Sequence, residues 1–107
     1  MIRILLVALV LLAGCVTDSD FRIEVTGTPG LEFSGHYGLA TADGQYTSKS
    51  VDGTVPATYT MRGHIVSGLF QKTTEDGTLR VEIFKNGRSV AGEETMAAYG
   101  IVSVGSD

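Results

Sequence analysis

Residues 79–90 read LRVEIFKNGRSV and contain the clearest structural signal in the chain. Leu79, Val81 and Ile83 alternate with polar or charged residues, which is the period-two pattern of a strand with one buried face. Asn86-Gly87 follows, and this pair favours a tight type I′ turn because both of its residues adopt positive φ at low cost. The stretch therefore predicts a β-hairpin.

The same alternation recurs along most of the chain, in runs separated by Gly-containing turns. The predicted strands cover residues 21–26, 31–39, 45–50, 57–62, 64–72, 79–83, 88–91 and 99–104. Turns are predicted at residues 28–30, 42–44, 52–53 and 75–77. Seven or eight short strands predict an all-β fold, an antiparallel immunoglobulin-like β-sandwich, with a small closed barrel as the alternative.

The apolar members of these runs form the predicted core. They are Ile23, Val25, Phe33, Tyr59, Leu79, Val81 and Ile83. A helix competes with strand only over residues 92–98, which contain helix formers. About two turns are marginal without packing, so a single helical turn is the alternative there.

The N-terminus has the organisation of a secretory signal peptide. Arg3 precedes an apolar run of about ten residues, shorter than the ~20 that a membrane-spanning helix needs. The run ends in Leu12-Ala13-Gly14-Cys15, which resembles the lipobox of bacterial lipoproteins, and Cys15 is the only Cys in the chain. The resemblance implies diacylglyceryl transfer to the Cys15 thiol and cleavage after Gly14. A signal peptide that ends in Cys by chance is the alternative.

The lipobox divides the chain into a signal peptide over residues 1–14, a lipid-anchored tether over 15–20 and a β-sandwich domain over 21–107. Two acyl chains give stable anchoring, so we expect secretion followed by attachment to a membrane through Cys15. Val16 stands where some Gram-negative bacteria place a retention Asp. The outer membrane is therefore favoured in such an organism, and the outer face of the cytoplasmic membrane otherwise. A tether this short keeps the domain close to its membrane.

The charge balance limits the classes of partner. Eight basic and twelve acidic residues give a net charge of -4, and cleavage removes Arg3 and no acid, which leaves -5. This balance argues against nucleic acid, or an anionic lipid surface, as a partner. A single Cys excludes an internal disulfide and a Cys-rich metal site.

Several scaffold features follow one another from Phe21 onward. They are RIEVTGTPG at residues 22–30, Asp-Gly at 43–44, Val-Pro-Ala at 55–57, the hairpin stretch, and YGIVSV at 99–104. This order is similar to the extracytoplasmic domain of the mycobacterial small membrane proteins, the MmpS family. The resemblance implies an immunoglobulin-like sandwich and an accessory role beside large lipid and siderophore exporters.

The chain also departs from that family. MmpS proteins have an N-terminal transmembrane helix where this chain has a lipobox. Ala57 stands where the family has Trp, and the Cys pair near the family's last strands is missing. No functional residue carries over from the family to this sequence.

Catalytic and metal-binding motifs are not found in the sequence. His36 and His64 each lie beside a glycine, and a shared metal site would need further converging ligands. The chain has no Gly-x-Ser-x-Gly and no phosphate-binding loop. Acidic pairs at residues 75–76 and 93–94 are typical of solvated loops, with a Ca²⁺ site as the alternative. We therefore expect no enzymatic activity and no cofactor.

Two functions fit these observations. The first is a lipid-anchored envelope protein that acts as a non-catalytic binding or accessory module close to the membrane, for an exporter or another envelope protein. The alternative is a structural or protective surface lipoprotein, including an inhibitor of an exogenous enzyme. An exposed apolar patch would favour the first function, and a loop protruding to fill a cleft would favour the second.

Two predicted strands have apolar residues on both faces. Ile65 and Leu69 occupy one face of the strand over residues 64–72, and Val66 and Phe70 occupy the other. The strand over residues 99–104 has the same property. The predicted interaction patch consists of Val66, Phe70, Val102 and Val104. Cover by a loop at residues 92–98 is the alternative.

Overall fold

A computed structural model describes residues 17–106, and these residues form eight strands and no helix. The strands are β1 (Ser19–Gly27), β2 (Glu32–Ala40), β3 (Tyr46–Thr54), β4 (Ala57–Gly63), β5 (Ile65–Lys72), β6 (Leu79–Lys85), β7 (Arg88–Thr95) and β8 (Ile101–Ser106). Nothing in this range is a helix with the length and apolarity needed to cross a bilayer. The predicted signal peptide and Cys15 lie outside the described residues.

The strands pair into two antiparallel sheets with the orders β4-β1-β6-β7 and β3-β2-β5-β8. The inner faces of the two sheets pack on each other, which confirms the predicted antiparallel β-sandwich. Strands that follow one another in the chain run in opposite directions. All connections therefore lie at one of two ends of the sandwich.

The core follows the alternation read from the sequence. Ile23, Val25, Phe33, Leu79, Val81 and Ile83 are all buried, as predicted. Tyr59 is half-buried and packs against this core. Burial raises the pKa of the Tyr59 hydroxyl, because the phenolate form loses hydration there.

The predicted hairpin is present as β6 and β7. Asn86 has φ 51° and Gly87 has φ 82°, as a type I′ turn requires. Hydrogen bonds join the turn to β1. The backbone amide of Asn86 donates to the Asp20 carbonyl oxygen at 2.8 Å. The Asp20 amide in turn donates to Asn86 Oδ1 at 3.1 Å. These bonds fix the tip of the hairpin beside the first strand.

Two local predictions were wrong. β1 begins at Ser19, so the ordered domain includes two residues that were assigned to the tether. Gly53 does not form a turn but lies inside β3, where a side chain would approach the Phe33 ring to 2.8 Å. Residues 92–95 continue β7 and pair with β6 from Leu79 to Glu82, so the helical turn considered there as an alternative does not form.

The predicted interaction patch was also wrong. Val66, Phe70, Val102 and Val104 are all buried in the core. These four residues lie on the inner face of their sheet, where Phe70 contacts Phe33 and Tyr59. Ile65 and Leu69 lie on the outer face of the same sheet. Gly68 makes this packing close, because a side chain there would meet the Phe70 ring at 2.8 Å.

Candidate functional site

The two ends of the sandwich carry different side chains. The tether end consists of the start of β1, the β2–β3 turn at residues 41–45, the β4–β5 connection at His64, the β6–β7 turn and the end of β8 at Ser106. The far end consists of the connections at residues 28–31, 55–56, 73–78 and 96–100. The predicted lipidation site precedes the tether end.

Hydrogen bonds hold the first described residues firmly at the tether end. The Ala42 amide donates to Asp18 Oδ1 at 2.7 Å. Arg62 Nη1 lies 2.9 Å from Asp20 Oδ1, and its Nη2 donates to the Asp18 carbonyl oxygen at 3.4 Å. Asp18 is therefore bonded to both sheets, and the chain is fixed from this residue onward.

Apolar side chains lie exposed at the tether end, on the outer face of the β3-β2-β5-β8 sheet. Tyr46 and Ile65 both pair in register with Ala40, so these three residues form one row across three strands. Tyr46 is 69% exposed and Ile65 is 42% exposed. The Tyr46 hydroxyl lies over Gly38, where a side chain would displace it.

Basic side chains surround a cleft at the same end, on the other sheet. The cleft has a volume of about 480 Å³, and its lining includes Arg22, Arg62 and Phe84. The Arg22 guanidinium lies 4.3 Å from the Phe84 ring centroid and 2.6 Å from a Glu24 carboxylate oxygen. Both arginines already have carboxylate partners, so an anion in this cleft would compete with Glu24 and Asp20.

A buried lysine organises the far end. Lys72 is 1% exposed, and its ammonium group donates to the carbonyl oxygens of Ala97 at 2.8 Å, Glu75 at 3.3 Å and Met96 at 3.4 Å. Three carbonyl groups match the three donors of an ammonium group. Lys72 thereby ties the β5–β6 connection to the β7–β8 connection.

The β7–β8 connection presents apolar side chains to solvent. We define the far-end patch as Met96, Tyr99 and Ile101, of which Tyr99 is 51% and Ile101 is 56% exposed. Tyr99 has φ 52°, an uncommon conformation for an aromatic residue. Its amide donates to the Thr74 carbonyl oxygen at 3.0 Å, and its own carbonyl accepts from Gln71 Nε2 at 3.0 Å. The far-end patch is therefore held on a fixed backbone.

Acidic residues predominate around the far end. Glu32, Asp52, Glu75, Asp76 and Glu94 lie on its connections or on the strand ends next to them. The basic residues near them are Arg80, which pairs with Glu94 in register, and the buried Lys72, whose ammonium group is bound to backbone carbonyl groups. Arg62, Lys85 and Arg88 lie instead at the tether end. The excess of negative charge is thus concentrated at one end of the domain.

The described residues bring no metal ligands together. His36 faces outward between Ser50 and Leu69 on the neighbouring strands, whereas His64 lies in the β4–β5 connection. Within residues 17–106, no cluster of three or more His, Cys, Asp or Glu side chains has metal-binding geometry. The Thr41 hydroxyl donates to the Asp43 carboxylate and lowers its pKa, because the hydrogen bond favours the charged form.

Sequence reasoning missed the residues that define the two ends. Lys72 follows Val66, Gly68 and Phe70 at spacings of two, so the inward position of its side chain could have been inferred. Tyr46 and Met96 carried no comparable signal, because each adjoins a turn. The chain matches no protein-family model and no curated protein sequence, so its function has to be argued from this geometry.

Proposed function

We propose that this protein is a lipid-anchored envelope protein, held to a membrane through Cys15, that acts as a non-catalytic binding or accessory module. Its partner would be an exporter subunit or another envelope protein. The anchor rests on the lipobox at residues 12–15 and on the use of the chain's single Cys there. Catalysis has no part in the proposal.

The short distance between Cys15 and the fixed domain is the observation that carries the proposal. Asp18 is already bonded to Ala42, so Val16 and Thr17 alone separate it from Cys15. Three Cα–Cα steps span at most about 11 Å. A domain anchored so closely would meet partners that lie in or directly above the same membrane.

The far-end patch supports a binding role. Isolated exposed apolar residues are ordinary, but Met96, Tyr99 and Ile101 lie exposed within six residues of chain, at the β7–β8 connection and the start of β8. The hydrogen bonds from Lys72 and Gln71 hold that connection in one conformation, which lowers the entropy lost when a partner binds. The same bonds draw the connection back onto β5. The β7–β8 connection is therefore not the kind of protruding loop that would favour an inhibitor filling a cleft.

The lipid anchor is tested with Cys15→Ser. We expect this variant to accumulate as an unprocessed precursor or to leave the membrane fraction, because serine has no thiol to accept the diacylglyceryl group. Globomycin, which inhibits lipoprotein signal peptidase, should block processing of the unchanged protein. Cell fractionation and immunoblotting measure both results. A Cys15→Ser protein that is processed normally and still sediments with lipid would contradict the anchor.

The binding role is tested by cross-linking in intact cells. A photoreactive phenylalanine analogue in place of Tyr99 should give a discrete product with one envelope protein. The same analogue at Ser50, an exposed position in the middle of edge strand β3, is the matched control and should not give that product. Mass spectrometry identifies the partner. Absence of a product specific to Tyr99 would contradict a partner site at the far-end patch.

A further inference from the structure

We propose that the tether end rests on the surface of the anionic bilayer that holds the lipid, with Tyr46 and Ile65 in the interface and Arg62, Lys85 and Arg88 facing the headgroups. This inference depends on the proposed lipid anchor at Cys15. It assigns the row Tyr46, Ala40 and Ile65 to a membrane and leaves the far-end patch for protein.

The length of the anchor brings this end to the bilayer. The acyl chains on Cys15 would place that residue at the boundary between headgroups and hydrocarbon. Asp18 can then lie no farther than about 11 Å from this boundary. The headgroup region is itself about 5–8 Å thick on each side of the bilayer. Because Asp18 is bonded to Ala42, the β2–β3 turn lies at the same level, and Tyr46 follows that turn directly.

The exposed side chains at this end have the chemistry that the interface favours. Tyrosine combines an apolar ring with a polar hydroxyl and is enriched at the level of the headgroups. Ile65 adds an aliphatic group on the same face and at the same end of its sheet. The Tyr46 ring lies along the sheet toward Gly38, so a rotation of this side chain, without movement of the backbone, would bring the ring to lipid beside Ile65.

The distribution of charge orients the domain in the same direction. The net charge of -5 expected for the mature chain argues against an anionic surface only if the acids are spread evenly. Glu32, Asp52, Glu75 and Asp76 lie at the far end, and an anionic membrane would repel that end. At the tether end, Asp18, Asp20 and Asp43 are balanced by Arg62, Lys85 and Arg88, so this end carries no comparable excess of negative charge. Arg62 is already paired with Asp20, so Lys85 and Arg88 are the cations of the tether end that would meet phosphate groups first.

Spin labels on the complete lipidated protein test this orientation. Lipidation consumes the Cys15 thiol, and the chain has no other Cys, so an introduced Cys can be labelled uniquely. Gln45→Cys places a label next to Tyr46, and Ala98→Cys places one beside the far-end patch as the control. The protein is reconstituted into vesicles of equal parts phosphatidylcholine and phosphatidylglycerol. Power saturation then gives the accessibility of each label to oxygen and to a water-soluble nickel chelate.

We expect the ratio of oxygen to nickel accessibility to be several-fold higher at residue 45 than at residue 98, because oxygen concentrates in lipid. Adding Tyr46→Ser and Ile65→Ser to the Gln45→Cys protein should remove most of this difference. The matched pair Tyr99→Ser and Ile101→Ser exchanges the same residue types at the far end. It should leave the difference between residues 45 and 98 intact. Vesicles of phosphatidylcholine alone should lower the ratio at residue 45.

Other outcomes would overturn the inference. Equal ratios at residues 45 and 98 in protein that stays on the vesicles would mean that the domain has no preferred orientation. A label at residue 45 that is shielded from both reagents would mean that protein, not lipid, covers this end. An unchanged ratio in phosphatidylcholine vesicles would show that the basic side chains do not contribute to the orientation of the domain. Failure of the protein to carry lipid at all would instead refute the proposed anchor.

Discussion

Replacing Lys72 with Met is expected to lower the free energy of unfolding by on the order of 3 kcal/mol. Methionine keeps much of the apolar stem, but it removes the ammonium donor from the carbonyl oxygens of Glu75 and Met96 and leaves that of Ala97 with the Gly100 amide alone. A hydrogen bond from a charged group is worth about 1.5–3 kcal/mol, and a buried acceptor left alone costs a further penalty. Urea denaturation of the purified protein measures the change.

Lys49→Met is the matched control for this substitution. Lys49 lies on edge strand β3 and is exposed, so its replacement should change the free energy of unfolding by no more than about 0.5 kcal/mol. Hydrogen exchange adds a local measure, because loss of the Lys72 bonds should speed exchange at the Tyr99 amide. Equal denaturation midpoints for the two variants would show that the buried ammonium group does not hold the far end together.

Replacing Phe70 with Ala is expected to cost about 3–5 kcal/mol, the usual range for a large aromatic side chain removed from a core. Phe70 is fully buried, with its ring centroid 5.8 Å from that of Phe33 and 6.4 Å from that of Tyr59. Phe70→Glu should prevent folding altogether, since it would place a carboxylate without a partner between the sheets. The denaturation midpoint and near-ultraviolet circular dichroism report both effects.

Ile101→Ala provides the comparison on the same sheet. Ile101 is 56% exposed on the outer face of β8 and should contribute little to the free energy of unfolding. A soluble Phe70→Glu protein with a native denaturation profile would mean that the sheet presents its other face to the core. That result would mean that Val66, Phe70, Val102 and Val104 form an exposed surface, as the sequence predicted.

The sequence predicted correctly those strands in which the alternation of apolar and polar residues allows only one face to be buried. Leu79, Val81 and Ile83 are separated by polar or charged residues, so only one face of β6 could be buried. In β5, Ile65 and Leu69 compete with Val66 and Phe70, and periodicity cannot choose between them. The choice depends on which set meets Phe33 and Tyr59 on other strands. That information is in the packing and not in the local pattern.

The features of the two ends depend on contacts between residues that are distant in the chain. Lys72 is buried because residues 75 and 96–97 converge on it, and a buried lysine is rare enough that sequence alone argues against one. The sequence places Asp18 in the tether, yet its carboxylate accepts a hydrogen bond from the Ala42 amide, which is 24 residues away. The net charge likewise gave no sign that the acids would outnumber the bases at the far end while the two are balanced at the tether end.

The most direct test of this account is the intact mass of the protein extracted from the membranes of cells that express the complete chain. If Cys15 carries the lipid anchor, the mature chain begins at Cys15 and carries the added mass of a diacylglyceryl group on that residue. Proteolytic digestion should place the whole of this added mass on the N-terminal peptide. An extracted protein that begins at any other residue, or that begins at Cys15 without lipid, would contradict the proposed anchor.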